Sequence, residues 1–268
     1  MARLRRHIVA GACVALLVSL LGICRAQQQQ QNGTQPQDIL KGISKDAPAV
    51  HASFSRVFEN PARRDSMAGE FYFFRPRTLH LEIEHPVHQI MVVDNGENVT
   101  KVYYPKKKRG FILEGSRPAK MPIVTGVLAA IQPDYGLSER GFEIYDQETA
   151  SDTLLTYWRR PEKERERNGS EKGSPQQFVL AQQGNRLIRA VLKLPSTGGT
   201  ATTRFSDHVP TRGGTHPMPT AIETRTVNVA GEAVERIVFR NLEVDPAIPS
   251  SVENFKIPND ASVERKEW

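Results

Sequence analysis

The densest group of residues able to do chemistry is His80, Glu82, Glu84, His85 and His88. Imidazoles and carboxylates grouped this closely are the ordinary ligands of a zinc site, or the partners of an acid–base pair. Their neighbours argue otherwise. Leu79, Leu81 and Ile83 alternate with His80, Glu82 and Glu84, so LHLEIE reads as a strand whose polar residues share one face. A metal or acid–base centre normally draws on several elements, and this single face reads as solvent-facing. His208 and His216 fall in a Thr-, Gly- and Pro-rich stretch and gain no partner from spacing. The sequence holds no P-loop, no G-x-S-x-G, no H-E-x-x-H and no dinucleotide fingerprint. The pattern points away from an enzyme, a metal site and a bound cofactor.

The elements that position these residues read as mainly β. FYFF at 71–74 is a strand candidate, apolar on both faces, and Arg75-Pro76 marks a break or edge, because proline donates no ladder hydrogen bond. HQIMVVDNGENVTKVYYP then gives strand, turn and strand, with Asp94-Asn95-Gly96 as the turn. These runs follow too closely for crossover helices, which predicts an antiparallel meander. Residues 121–133 read as a helix stopped by Pro133, and 38–47 begin with a short amphipathic one. GFEIYD and DTLLTYWRRP predict two more strands, and the charged run 159–175 a solvated loop or hairpin tip. FVLAQQGNRLIRAVLKL follows as a hairpin. Residues 195–220 read as a long loop with little order, and two strands flank Ala230-Gly231-Glu232. In total, nine to eleven strands and two or three helices are expected in one predominantly antiparallel domain.

Composition supports a folded, loop-rich protein of one main core: 268 residues, 38% hydrophobic and 25% charged, with 18 prolines and 19 glycines. The N-terminus stands apart. Arg3, Arg5, Arg6 and His7 precede IVAGACVALLVSLLGIC, and Cys24-Arg25-Ala26 ends on a small residue, so residues 1–26 read as a cleaved secretory signal. A retained membrane anchor is one rival reading. Lipidation at Cys24 within LGIC is another, opposed by bulky Ile23. Without residues 1–26, 36 Lys and Arg against 30 Asp and Glu become 32 against 30. The basicity is then partly targeting, and no nucleic-acid partner is implied. Cys13 and Cys24 are the two cysteines, so a cleaved chain has neither disulfide nor thiol chemistry. Residues 27–37 are a polar, flexible leader. LPSTG at 194–198 lacks the hydrophobic stretch and basic tail of a wall-sorting signal and is a coincidence.

Several stretches resemble the periplasmic outer-membrane lipoprotein carrier (LolA-like) family. They are His51-Ala-Ser-Phe54, Gly69-Glu-Phe-Tyr-Phe-Phe-Arg75-Pro76, Leu79-His-Leu-Glu-Ile83, Ile90-Met-Val-Val-Asp-Asn-Gly96 and Val102-Tyr-Tyr-Pro105. Ile237 through Pro246, and Pro249 through Val263, resemble the family's closing strand. The resemblance implies a single domain over 38–263, with 264–268 as a tail. It implies a strongly curved, incompletely closed antiparallel β-barrel, capped by a few α-helices around a hydrophobic cavity. Such a protein carries acyl chains of lipoproteins, or another lipid, through the periplasm without covalent chemistry. An ATP-driven inner-membrane release complex and an outer-membrane acceptor would be its partners, and a monomer its state. Helix 121–133 then corresponds to a lid and Arg75 to its contact. Phe71, Phe73, Leu79, Leu81, Ile83, Ile90 and Val92 are the residues expected to line the cavity. The alternative is an extracytoplasmic β-rich interaction or sensor domain with no transport role.

Overall fold

The computed structural model describes residues 49–74, 78–94, 99–114, 134–138, 141–161, 177–194, 198–210, 217–229 and 231–267. All of them belong to one compact unit, Pro36–Trp268. The strands of its first half are β1 (Val50–Asn60), β2 (Arg63–Phe74), β3 (Thr78–His85), β4 (Gln89–Asp94), β5 (Val99–Tyr104) and β6 (Arg109–Glu114). Those of the second half are β7 (Glu143–Ala150), β8 (Thr153–Arg159), β9 (Gln177–Gln183), β10 (Arg186–Leu194), β11 (Gly199–Val209), β12 (Met218–Asn228) and β13 (Gly231–Val244). A four-residue helix, α1 (Ser250–Glu253), and strand β14 (Ser262–Glu267) close the chain.

All fourteen strands form a single sheet, ordered β14-β6-β5-β4-β3-β2-β1-β13-β12-β11-β10-β9-β8-β7. Every neighbouring pair is antiparallel except β14 with β6. Local chemistry sets two of the bends. At the β1–β2 turn the Asn60 side-chain oxygen accepts hydrogen bonds from the amides of Ala62 (2.9 Å) and Arg63 (2.8 Å), which folds the chain back. Between β2 and β3 the register shifts at Ala68/Gly69, where a Cβ on Gly69 would sit 2.1 Å from the Glu82 carbonyl oxygen. Only glycine fits that approach.

Residues directly opposite in a ladder share a face. Through the registers, one face carries Leu79, Leu81 and Ile83 of β3 beside Phe71 and Phe73 of β2, and then Val50, Ala52 and Phe54 of β1. It continues through Phe239 and Ile237 of β13, Ile222 of β12 and Phe205 of β11 to Ala190, Leu180 and Phe178. These residues form one buried cluster, and Tyr135, Leu137 and Phe142 join it. Phe71 meets Phe239 edge-on at 5.5 Å, Phe142 meets Phe178 at 5.1 Å, and Tyr135 meets Phe205 at 5.8 Å.

Three expectations are corrected here. The strongly curved, helix-capped barrel gives way to an open, mostly antiparallel sheet that ends on two different strands, β14 and β7. The described residues contain one short α-helix and a three-residue 3-10 turn, Pro105–Lys107. The expected barrel is incompletely closed; the sheet observed is neither closed nor strongly curved into a barrel, and β7 pairs with β8 alone among the described residues. The expected helices over 38–47 and 121–133 lie outside the described residues. Second, the stretch read as a loose loop at 195–220 contains β11, whose β-branched threonines suit a pleated surface. Thr203 and Thr224 hydrogen-bond across the strands at 3.0 Å. Third, Ser262–Glu267 form a strand that includes most of the expected tail.

Candidate functional site

The residues expected to line a cavity divide between the two faces of the sheet. Phe71, Phe73, Leu79, Leu81 and Ile83 lie together on the core face at 0–1% exposure. Ile90 and Val92 do not join them, because Ile90 lies opposite Glu82 and Val92 opposite His80, on the other face. The β4 residues of the core face are Met91, opposite Leu81, and Val93, opposite Leu79. Arg75 lies outside the described residues.

This geometry overturns the carrier reading. A cavity wide enough for an acyl chain leaves its walls bordering space at least as large as a water molecule. The five core-face residues border none: they pack against other side chains. Among the described residues there is neither a closed hydrophobic cavity nor a set of helices to cap one.

The opposite face of β1–β5 carries the polar groups. His51 and Tyr72 stack in parallel at 4.2 Å, and Tyr72 meets His80 edge-on at 6.1 Å. A Glu70 oxygen lies 3.1 Å from His51 Nε2 and accepts the Tyr72 hydroxyl at 3.3 Å. Burial, then Glu70, pushes the Tyr72 phenol above its ordinary value. His88 Nε2 lies 3.3 Å from a Glu82 oxygen. His80, expected to meet water, is 2% exposed. The C-terminal segment covers it. Phe255 packs edge-on against its ring at 5.5 Å, and the ring hydrogen-bonds the backbone of Val252 in α1. Its Nδ1 is buried with no partner. Burial lowers the His80 pKa, outweighing the opposing pull of Glu82. The described residues hold no group of three or more His, Cys, Asp or Glu placed to bind a metal.

The same C-terminal segment secures one end of the sheet. Ile257 fills the space over Gly110, where a Cβ would come within 2.9 Å of it. Lys108 pairs with Asp260 at 2.7 Å, and the Ser262 amide donates to the Lys108 carbonyl at 2.9 Å. Arg109 reaches Glu264 at 3.1 Å, and Arg265 reaches Glu114.

At the other end, β7 pairs with β8 alone among the described residues. All eight residues of β7 are exposed, including Ile144 at 48% and Tyr145 at 41%. A register shift at Tyr145 sets the faces of this strand. Glu143, Asp146 and Glu148 lie opposite Arg159, Tyr157 and Leu155, on one face. Ile144, Gln147 and Thr149 lie on the other. Arg159 rests over the Tyr145 ring at 4.9 Å, and the Tyr157 hydroxyl donates to Glu148. GFEIYD was legible as a strand, but its place at the edge was not. The available signal was EIYDQETA itself, which lacks a periodic apolar face.

No protein-family profile matches the chain, and no curated protein matches it. Among solved structures, a LolA superfamily protein from Nitrosomonas europaea is 14% identical, with a TM-score of 0.48 over 82% of this chain and 97% of the other. A DUF1329 family protein from Desulfovibrio piger is 13% identical, with a TM-score of 0.48 over 81% of this chain and 97% of the other. The chain thus resembles such proteins at low identity over about four-fifths of its length, and no family membership follows. Among the described residues, no helix is long and apolar enough to cross a membrane.

Proposed function

We propose that this chain is an extracytoplasmic β-rich interaction domain without a transport role, directed across the inner membrane by residues 1–26. It works by contact, and the contact is an extended protein segment added as a further strand beside β7. The observation that carries this reading is the state of β7: eight residues long, exposed throughout and, among the described residues, paired on one side only. Such an edge presents backbone donors and acceptors in a row, which is what strand addition uses. The buried apolar cluster supports the reading too, since its side chains cover one another.

The test uses eight-residue peptides selected by display against the folded domain. Each is compared with a version N-methylated at alternate residues, which removes the ladder hydrogen bonds and keeps the side chains. Strand addition predicts at least a tenfold loss of affinity on methylation. Equal affinity of the two versions, or a selection that yields no binders, contradicts it.

A further inference from the structure

We propose that the segment added to β7 is basic, with Lys or Arg at alternate positions; this rests on the reading of β7 as a docking edge. An added strand continues the pleat, so its residues fall on the same two faces as those of β7. On one face it meets Glu143, Asp146 and Glu148, which the shift at Tyr145 aligns. All three are acidic and exposed, and β7 carries no basic residue. Opposite charges directly across a ladder stabilise it and like charges destabilise it. Arg159 on β8 lies directly opposite Glu143 and is drawn over the Tyr145 ring, leaving Asp146 and Glu148 opposite Tyr157 and Leu155. The other face offers Ile144 and Thr149, which suit apolar or β-branched partners. The occupant therefore alternates basic with apolar residues.

The same geometry disfavours a second copy of this chain. Antiparallel pairing of β7 with its own counterpart continues each face, and sets acidic residues beside acidic ones. Charge complementarity selects a different, basic strand.

Two eight-residue peptides test this, one alternating Lys with Val and one alternating Glu with Val. Each is titrated into the domain at low salt, with amide exchange recording the footprint. The Lys-Val peptide is expected to bind at least tenfold tighter, to protect β7 amides and to weaken in 0.5 M salt. The exposed double substitution Asp146→Lys with Glu148→Lys should reverse the preference, with far-UV circular dichroism confirming the fold. Equal binding of both peptides at β7 overturns the basic preference and leaves the docking edge standing. Protection of β7 by neither peptide overturns the preference and counts against the edge as well. An unchanged preference in a folded charge-reversed variant also overturns it.

Discussion

The two ends of the sheet solve the same problem in opposite ways. At the β14 end, SVERKE mixes signs along six residues, and Glu264 and Arg265 pair with charges on β6. The segment leading into it lies over His80 and Gly110. Mixed charge on a short edge discourages further strands. At the β7 end, eight residues carry one sign of charge together with exposed Ile144 and Tyr145. One edge is secured by its own chain; the other, among the described residues, is paired on one side only and carries acidic side chains.

The strongest way to break this contrast is to remove what the two ends share. Phe71→Ala empties the centre of the common core and should cost about 3–5 kcal/mol. Thermal unfolding would then be lowered for both ends together. Phe255→Ala should separate them. Phe255 is half-buried, so the loss should be about 2–3 kcal/mol, with amide exchange faster in β14 and β6 and unchanged in β7. Gly110→Val drives a branched side chain into Ile257 and should cost about 1–3 kcal/mol in the same region.

Acid should also act on one end. The folded His80 has a lowered pKa, so below the ordinary histidine value of 6.5 the unfolded state binds a proton that the folded ring refuses. Stability contributed by the neutral ring is present above that value and is lost as pH falls through it towards the folded pKa. Melting temperatures between pH 7 and pH 5 should show this loss in the parent and a smaller one in His80→Gln. The smallest effect is expected from Glu264→Ala. It removes only exposed, solvent-screened ion pairs and should leave the melting temperature almost unchanged.

How much of this could be read beforehand depended on whether the signal was local. LHLEIE places Leu79, Leu81 and Ile83 on one face by alternation alone, and the registers keep them there. FYFF and QIMVVD are apolar at consecutive positions, so periodicity leaves their phase open. Register settles it, burying Phe71 and Phe73 with Leu81 and Leu79 while turning Ile90 and Val92 away. β11 was hidden by threonines and glycine that resemble loop composition. β14 was hidden because a charged hexapeptide pairs in parallel with a strand far earlier in the chain. The burial of His80 has the same origin: Val252 and Phe255, which cover it, are remote in sequence. That Phe71, Leu79 and Leu81 pack against other side chains was equally out of reach, since an apolar strand face looks the same whether it lines a cavity or packs against its neighbours.

Amide hydrogen exchange across both edges, with and without a display-selected extended peptide, tests the docking edge most directly. Protection gained in Glu143–Ala150 and absent from Ser262–Glu267 is the expected result. Protection at β14, or on the His51–Tyr72–His80 face with β7 unchanged, would contradict it.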